Sequence, residues 1–468
     1  MDLVIIGNGI AGITAARHVR KFDSDARITV ISDESDHFYS RTALMYIYMG
    51  HMTYGHTKPY EDRFWPENRI GLVRDYVERI DTDARTLHLR SGKQMEYDKL
   101  LVATGSKPRL AGWPGEHLGG VQGLYGLQDL ERMEADTEGV RHAVVVGGGL
   151  IGVEMAEMLH TRGIHVTFLV REASYMSRIL PPEESAMVNR EIRRHGIDLR
   201  LETELKEILD DGYGNACGVV TTDGEELPAQ FVGLTIGVTP NIGFLDNSGI
   251  ETDRGVLVNR HFETNVPDVY AAGDCVQHRE PLPERRAVEQ LWYTGRIHGA
   301  TVAHTICGRR RAYDPGVFFN SAKFFDIEYQ TYGRIDPELQ DGEGTFYWEH
   351  PDGERSVRIN YEDAAGGNGV AATRVVGVNV MGLRHRQVAW ERWIGEGASL
   401  DHVIAHLGAA NFDPEFFDKH EADIVAAYNH EHPQHPVDLK QKKGWRRWMS
   451  PDLRGLVGTD ILPGRALP

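Results

Sequence analysis

Apolar residues gather in two short runs, LVII (Leu3–Ile6) and AVVV (143–146), and each run stops at a glycine cluster, GNGIAG and GGGLIG. Short apolar runs bounded by glycine predict buried strands, and the helical periodicity that follows each predicts a strand–turn–helix unit. The first unit reads strand Leu3–Ile6, helix about Ile10–Val19 and strand Arg27–Ile31, the order that builds a parallel sheet. The second begins near His142 and runs through HVTFLV, a helix near Glu183–His195 and strands up to FVGLTIGV. Between them lie a Tyr- and His-rich segment from His37 to Trp65, predicted as loop and helix, and alternating segments at Arg74–Ile80 and Arg85–Arg90, predicted as strands. KLLVATGSKPR reads as a buried strand ending in a turn, and RLAGWPGEHLGG as a linker. From about Val317 the texture changes to short strands with turns such as PDGE and AAGGNG, then a helix from about Arg386. The last stretch, rich in His, Pro and basic-aromatic clusters, reads as a poorly packed extension.

The glycines at Gly7, Gly9, Gly12 and at Gly147, Gly149, Gly152 give the pattern chemical meaning. In this setting glycine lets the backbone turn tightly, approach a pyrophosphate and pack helix on strand, with the helix N-terminus facing the phosphate. One such turn could equally be a bare connection. Two copies, each after a strand and before a helix, point to two dinucleotides in one chain. Their economical combination is a flavoprotein reduced by a nicotinamide cofactor.

A chain of 468 residues exceeds one core and fits roughly three domains. Its net charge of −18 disfavours a nucleic-acid partner. The first residues carry no basic segment followed by an apolar one, and no apolar run approaches the ~20 residues of a membrane span, so a soluble cytoplasmic protein is expected. Cys217, Cys275 and Cys307 are scattered without CxxC or CxxxxC spacing, and no local redox pair is announced.

With IGNGIAG, FYSRTAL, VATGSKPR, GGGLIG and DVYAAGDC in view, residues 1 to about 400 resemble the FAD-dependent pyridine nucleotide-disulfide oxidoreductases. Within that family the closest look is to rubredoxin and ferredoxin reductases, nitrite reductase flavin domains and coenzyme A disulfide reductases. The resemblance implies an α/β fold with two Rossmann-like dinucleotide-binding domains, one inserted in the other, plus a C-terminal α+β domain. The implied boundaries are 1–112 with 241–314 for FAD, 113–240 for NAD(P)H, 315–415 for the C-terminal domain and 416–468 for the extension.

Carried onto this sequence, the resemblance places Gly7, Gly9 and Gly12 around the FAD pyrophosphate and Arg41, Ala103, Thr104 and Gly105 beside the cofactor. Gly273 and Asp274 match the Gly-Asp pair whose carboxylate receives the ribityl chain. Asp33 or Glu34, at the end of the second strand, is left to hold the adenosine ribose. Glu289–Gly299 matches a helix whose N-terminal end faces the flavin, where its dipole favours the anionic reduced form. Gly147, Gly149, Gly152 and Gly237 would hold NAD(P)H, and Glu154 would sit near nicotinamide and flavin. Relatives often pair that glutamate with a lysine. No lysine stands in SRTALMYIY, and Tyr46 is the nearest match by position. Lys323 either approaches the flavin or is an ordinary surface lysine. HVTFLV ends at Val170, where NADH-using relatives commonly carry a carboxylate; Arg171 follows and leans toward NADPH, although Glu172 could neutralise it or turn inward to serve NADH.

The largest departure is Thr42, which stands where related disulfide reductases carry a redox cysteine; a hydroxyl forms neither thiolate nor sulfenate. The expected activity is therefore hydride transfer from NAD(P)H to FAD and electron passage to an unidentified acceptor, a small redox protein, a quinone or oxygen. Two alternatives stay open: a thiol or peroxide reductase with a displaced cysteine, and a non-catalytic flavin sensor or scaffold. His430, His432 and His435 read as a solvated tail, and no metal is expected. KQKKGWRRW (Lys440–Trp448) either docks an acidic partner or membrane surface or folds over the acidic body. A homodimer is also left open.

Overall fold

The computed structural model describes residues 1–364, 372–412 and 418–440. Apart from Lys440, the basic-aromatic stretch Lys440–Trp448 lies outside the described residues. The chain forms two compact units: Met1–Tyr175 with Gly196–Pro315, and Met176–His195 with the described residues from Gly316 onward.

The first unit holds two five-stranded sheets of the same design. In one, the strands follow the order Val269–Ala271, Lys99–Val102, Asp2–Ile6, Arg27–Ser32, Ile70–Arg74, all parallel. In the other the order is Asp198–Arg200, His165–Leu169, His142–Val146, Phe231–Leu234, Val121–Gln122, again all parallel. In each, the strand that ends at the glycine cluster is central. Leu3, Val4, Ile5 and Ile6 are all buried, as are Ala143, Val144, Val145 and Val146, which is why these strands read as unbroken apolar runs. A single apolar core joins residues from Leu3 to Ala103 with residues from Leu245 to Tyr313, and a separate core fills part of the second sheet from Val121 to Leu234. The chain passes between these lobes twice, at Ser106–Pro108 and Val238–Pro240, which pair antiparallel.

The helix expected over Glu289–Gly299 runs instead from Trp292 to Ile306. Its start is delayed because Glu289 and Gln290 are committed elsewhere: Glu289 pairs with Arg285 and accepts from Tyr313, and Gln290 donates to Ser106. This helix crosses the Ile10–Phe22 helix at very close range, since a Cβ on Gly299 would lie 2.3 Å from the Ala11 carbonyl oxygen.

The second unit is built on one antiparallel sheet in the order Phe319–Phe324, Ile327–Gly333, Ala372–Met381, Ser356–Ala364, Glu343–Glu349. The Pro182–Arg194 helix, which sequence order assigned to the second dinucleotide domain, belongs to this unit. It opens on Pro182 with Glu183 and Glu184 in its first turn, a start favoured by proline geometry and the helix dipole. Glu184 is fully buried and holds Arg358 at 2.8 Å. The described part of the presumed loose extension is packed: the Glu421–Glu431 helix buries Ile424, Val425 and Tyr428, and Val437 and Leu439 rest on the same core.

Candidate functional site

In both lobes the central strand leads through a glycine turn into a helix, and the three glycines divide the work. Gly7 has φ 110° and a Cβ there would stand 2.1 Å from the Ala103 carbonyl oxygen; on Gly12 it would stand 2.1 Å from the Gly7 oxygen. Neither position can carry a side chain. Gly9 is different: a Cβ on it meets nothing within 4 Å. It caps the Ile10–Phe22 helix without a side-chain hydrogen bond, so the first N–H groups of that helix face open space. The second turn repeats this. A Cβ on Gly147, at φ 118°, would stand 2.6 Å from the Thr235 oxygen and one on Gly152 2.2 Å from the Gly147 oxygen, and Gly149 faces open space as the uncapped start of Leu150–Thr161. Each turn is thus a cradle at a helix N-terminus, which suits a diphosphate. Gly237, after the Phe231–Leu234 strand, also faces open space.

Beside the first turn, Thr104 donates to the Asn241 carbonyl at 2.7 Å, tying the Ala103-Thr104-Gly105 turn to the returning chain. Asp274 accepts from Tyr125 at 3.2 Å and from Ser106 at 3.4 Å, both on Oδ2. Burial raises its carboxyl above the usual range, against these two hydrogen bonds and the Arg41 charge. Among the candidates for the ribose, Asp33 is exposed, while Glu34 is engaged. Arg41 donates to both Glu34 oxygens at 2.8 and 2.6 Å, and Tyr39 and the Leu127 N–H donate to Oε1. Burial alone would raise the Glu34 carboxyl, but the Arg41 charge and these hydrogen bonds hold it below its usual range.

In the second lobe Glu154 lies in the first turns of Leu150–Thr161, partly buried. Burial, with a smaller contribution from the Glu157 charge, pushes its carboxyl up to about 7. Among the described residues it has no cationic partner. Tyr46 lies on the Leu44–Tyr48 helix with its ring stacked on His51, 6.3 Å between centroids, and makes no hydrogen bond to Glu154. Arg171 is half-exposed and bonded to Glu172 at 3.0 Å, so the neutralising arrangement is the one present. Thr42 is exposed, its hydroxyl 3.2 Å from that of Ser40. Cys217 is exposed and Cys275 buried, its thiol pushed up to about 11 by burial; Cys307 is intermediate. Lys323 belongs to the second unit, on Phe319–Phe324 opposite Glu328.

Sequence reasoning missed two groupings. Tyr125, in the connector before the Leu127–Asp136 helix, touches Asp274, Ser106 and Arg41 together. No periodicity or motif marks it. His278, Glu289 and His298 converge, all buried, with candidate ligand atoms within 4.8 Å of one another. Yet the Gly273 N–H donates to His298 Nδ1 at 3.2 Å, which in a neutral ring leaves the proton on Nε2, and Arg285 pairs with Glu289 at 2.9 Å. Burial pushes His278 down to about 4 and His298 well below its ordinary value. A protonated Nε2 and a resident guanidinium do not make a metal site.

Among known proteins, the family model described as pyridine nucleotide-disulphide oxidoreductase matches residues 1–304. Rhodocoxin reductase of Rhodococcus erythropolis is 32% identical over 62% of this chain and 68% of that one. The NAD(P)H nitrite reductase of Bacillus subtilis is 30% identical over 59% of this chain, but the match spans only 34% of that longer protein. The solved ferredoxin reductase for the CYP199A2 system of Rhodopseudomonas palustris superposes with a TM-score of 0.73 at 25% identity, covering 91% of this chain and 99% of that one.

Proposed function

The chain belongs to the pyridine nucleotide-disulphide oxidoreductase family, and from that premise we propose that it carries electrons from NAD(P)H to a small electron-carrier protein. It is an oxidoreductase working with FAD and NAD(P)H. The observation that carries the reading is the pair of glycine cradles, one per lobe, each open at its middle glycine and each at an uncapped helix N-terminus. The residues present fit two dinucleotides.

Gly7, Gly9 and Gly12 receive the FAD diphosphate, and Asp274, with Oδ2 already satisfied by protein donors, offers Oδ1 to the ribityl hydroxyls. With Glu34 held by Arg41, the adenosine ribose falls to Asp33 or to solvent. Gly147, Gly149 and Gly152 receive the nicotinamide dinucleotide, and Glu154, poised near neutrality, holds or releases a proton beside it. Bound FAD supplies an acceptor that takes a hydride and can release electrons singly. The chain's part is to hold donor and acceptor in line and exclude water. No redox-active disulfide takes part: Thr42 supplies no thiol, and the Cys275 thiol stays protonated at neutral pH. Relatives named as reductases of rhodocoxin and of ferredoxin support a small redox protein as the acceptor.

Anaerobic titration tests the reading. NADH or NADPH should bleach the flavin band, uptake should stop at a single electron pair per FAD, and added ferredoxin should restore the colour. A flavin that neither nicotinamide reduces would overturn the proposal, and uptake of a second electron pair would reveal a working thiol.

A further inference from the structure

Tyr125 is held at every polar atom. Its N–H is bound by Asp129 at 2.8 Å, its carbonyl accepts from Arg41 at 2.7 Å, and the Arg41 guanidinium lies 4.3 Å over its ring. Its hydroxyl accepts from the Ser106 N–H at 2.9 Å. That acceptance fixes the direction of the phenol proton, which then points to Asp274 Oδ2 at 3.2 Å. A second donor, the Ser106 hydroxyl, reaches the same oxygen at 3.4 Å and is itself held by Gln290 at 2.8 Å. Both protein hydrogen bonds to this carboxylate therefore fall on one oxygen. Among the described residues nothing donates to Oδ1. The close fit extends to the backbone, since a Cβ on Gly105 would stand 2.7 Å from the Tyr125 hydroxyl.

We infer that Tyr125 is the positioning residue for the Asp274 carboxylate: by taking Oδ2 it presents Oδ1 to the flavin side chain and so sets the affinity for FAD. The inference rests on the reading of Asp274 as the flavin-binding carboxylate. Because Tyr125 sits in the connector between Val121–Gln122 and the Leu127–Asp136 helix, it also ties the start of the second lobe to the carboxylate of the first.

The test is a double-mutant cycle read by FAD dissociation, measured as flavin fluorescence on dilution of the holoenzyme, with the melting temperature of each variant as a control for folding. Tyr125→Phe, which removes only the hydroxyl, should raise the FAD dissociation constant about tenfold, as loss of one hydrogen bond to a charged group does. In an Asp274→Asn background the same change should add less than about twofold, because its target has gone. A wild-type constant for Tyr125→Phe overturns the inference, as does an equal loss in both backgrounds, the mark of a merely structural tyrosine. If Asp274→Asn alone binds FAD like the wild type, the reading of Asp274 fails, and the inference with it.

Discussion

Two positions past the third glycine of the first turn stands Thr14, buried, its carbonyl accepting from His18; two past the third glycine of the second stands Glu154, a partly buried carboxyl pushed up to about 7. Around these positions the lobes repeat each other. Four strands of each sheet follow the same order and only the outer fifth differs, coming late in the chain at Val269–Ala271 in one sheet and early at Val121–Gln122 in the other; a Cβ on either outer glycine of each turn would stand 2.1 to 2.6 Å from a backbone oxygen, and the middle glycine is open in both. At the end of the second strand they part again: Glu34 is locked by Arg41, Tyr39 and the Leu127 N–H, whereas Arg171 lies half-exposed against Glu172. Backbone geometry is thus common to the lobes, and side-chain chemistry separates them. On the proposed reading the shared part binds a diphosphate, and the divergent part decides which dinucleotide and what happens to it.

The sharpest way to break this comparison is to fill one open cradle at a time. Gly9→Leu should abolish FAD binding and give a colourless protein, while Gly149→Leu should stay yellow yet lose flavin reduction by either nicotinamide. Absorbance of the purified variants and anaerobic mixing read both outcomes. If Gly149→Leu loses FAD, or Gly9→Leu keeps it, the lobes have been assigned the wrong way round. Gly7→Ala and Gly147→Ala are different in kind: they drive a Cβ into a carbonyl and should lower the melting temperature with or without ligand.

The same division explains what the sequence made legible. Leu3–Ile6 and the run from Ala143 to Val146 announce themselves because strands covered on both faces must be apolar throughout, and the glycines because no other residue fits. What stayed hidden depends on partners far apart in the chain. The Pro182–Arg194 helix has an ordinary amphipathic pattern, and partners far along the chain, among them Arg358, 174 residues on from Glu184, reveal that it serves the second unit. Glu34 looked available for a ribose until Arg41 closed on it. Tyr125 sits between a leucine and a glycine in a connector, where local pattern carries no signal. The Trp292 helix start moved because the side chains of Glu289 and Gln290 found tertiary partners.

Glu154 offers the next largest contrast, visible as pH dependence. Its carboxyl is raised from 4.5 to about 7, so folding favours the protonated form. The sign follows: below the unfolded value folding bears no penalty, the penalty grows as pH climbs through the window, and above about 7 it is complete. Glu154→Gln should therefore stabilise the ligand-free protein at pH ~8 by up to roughly 3 kcal/mol and leave it unchanged at pH ~4. Thermal melts at the two pH values check this. A gain equal at both would mean that packing, not charge, separates Glu154 from Thr14.

A smaller effect is expected from Arg171→Ala. The guanidinium could grip a 2′-phosphate, but it is 57% exposed and already paired with Glu172, so its loss should raise KM for NADPH about five- to tenfold and barely alter KM for NADH. Equal changes for both coenzymes, or a wild-type preference for NADH, would show that coenzyme choice in the second lobe is made elsewhere.

The smallest effect should come from removing every thiol. Cys275 and Cys307 lie in the first lobe and Cys217 in the second, and on the proposed reading none acts as a redox sulfur in place of Thr42. The Cys275 thiol donates to the Val102 and Ala272 carbonyls and is pushed up to about 11 by burial, so the thiolate is scarce at neutral pH. Cys217 faces solvent, with its thiol on the Leu209 carbonyl at 3.5 Å. Cys217→Ser with Cys275→Ala and Cys307→Ala should cost some stability, through the small void left at Cys275, and leave the rate of flavin reduction by NAD(P)H within several-fold of wild type. Stopped-flow reduction of the FAD-loaded variant separates the two effects. Loss of reduction with FAD still bound would place a working sulfur between the lobes' two cofactors, and the divergence of side chains would then include a redox step that neither Thr42 nor the glycine turns disclose.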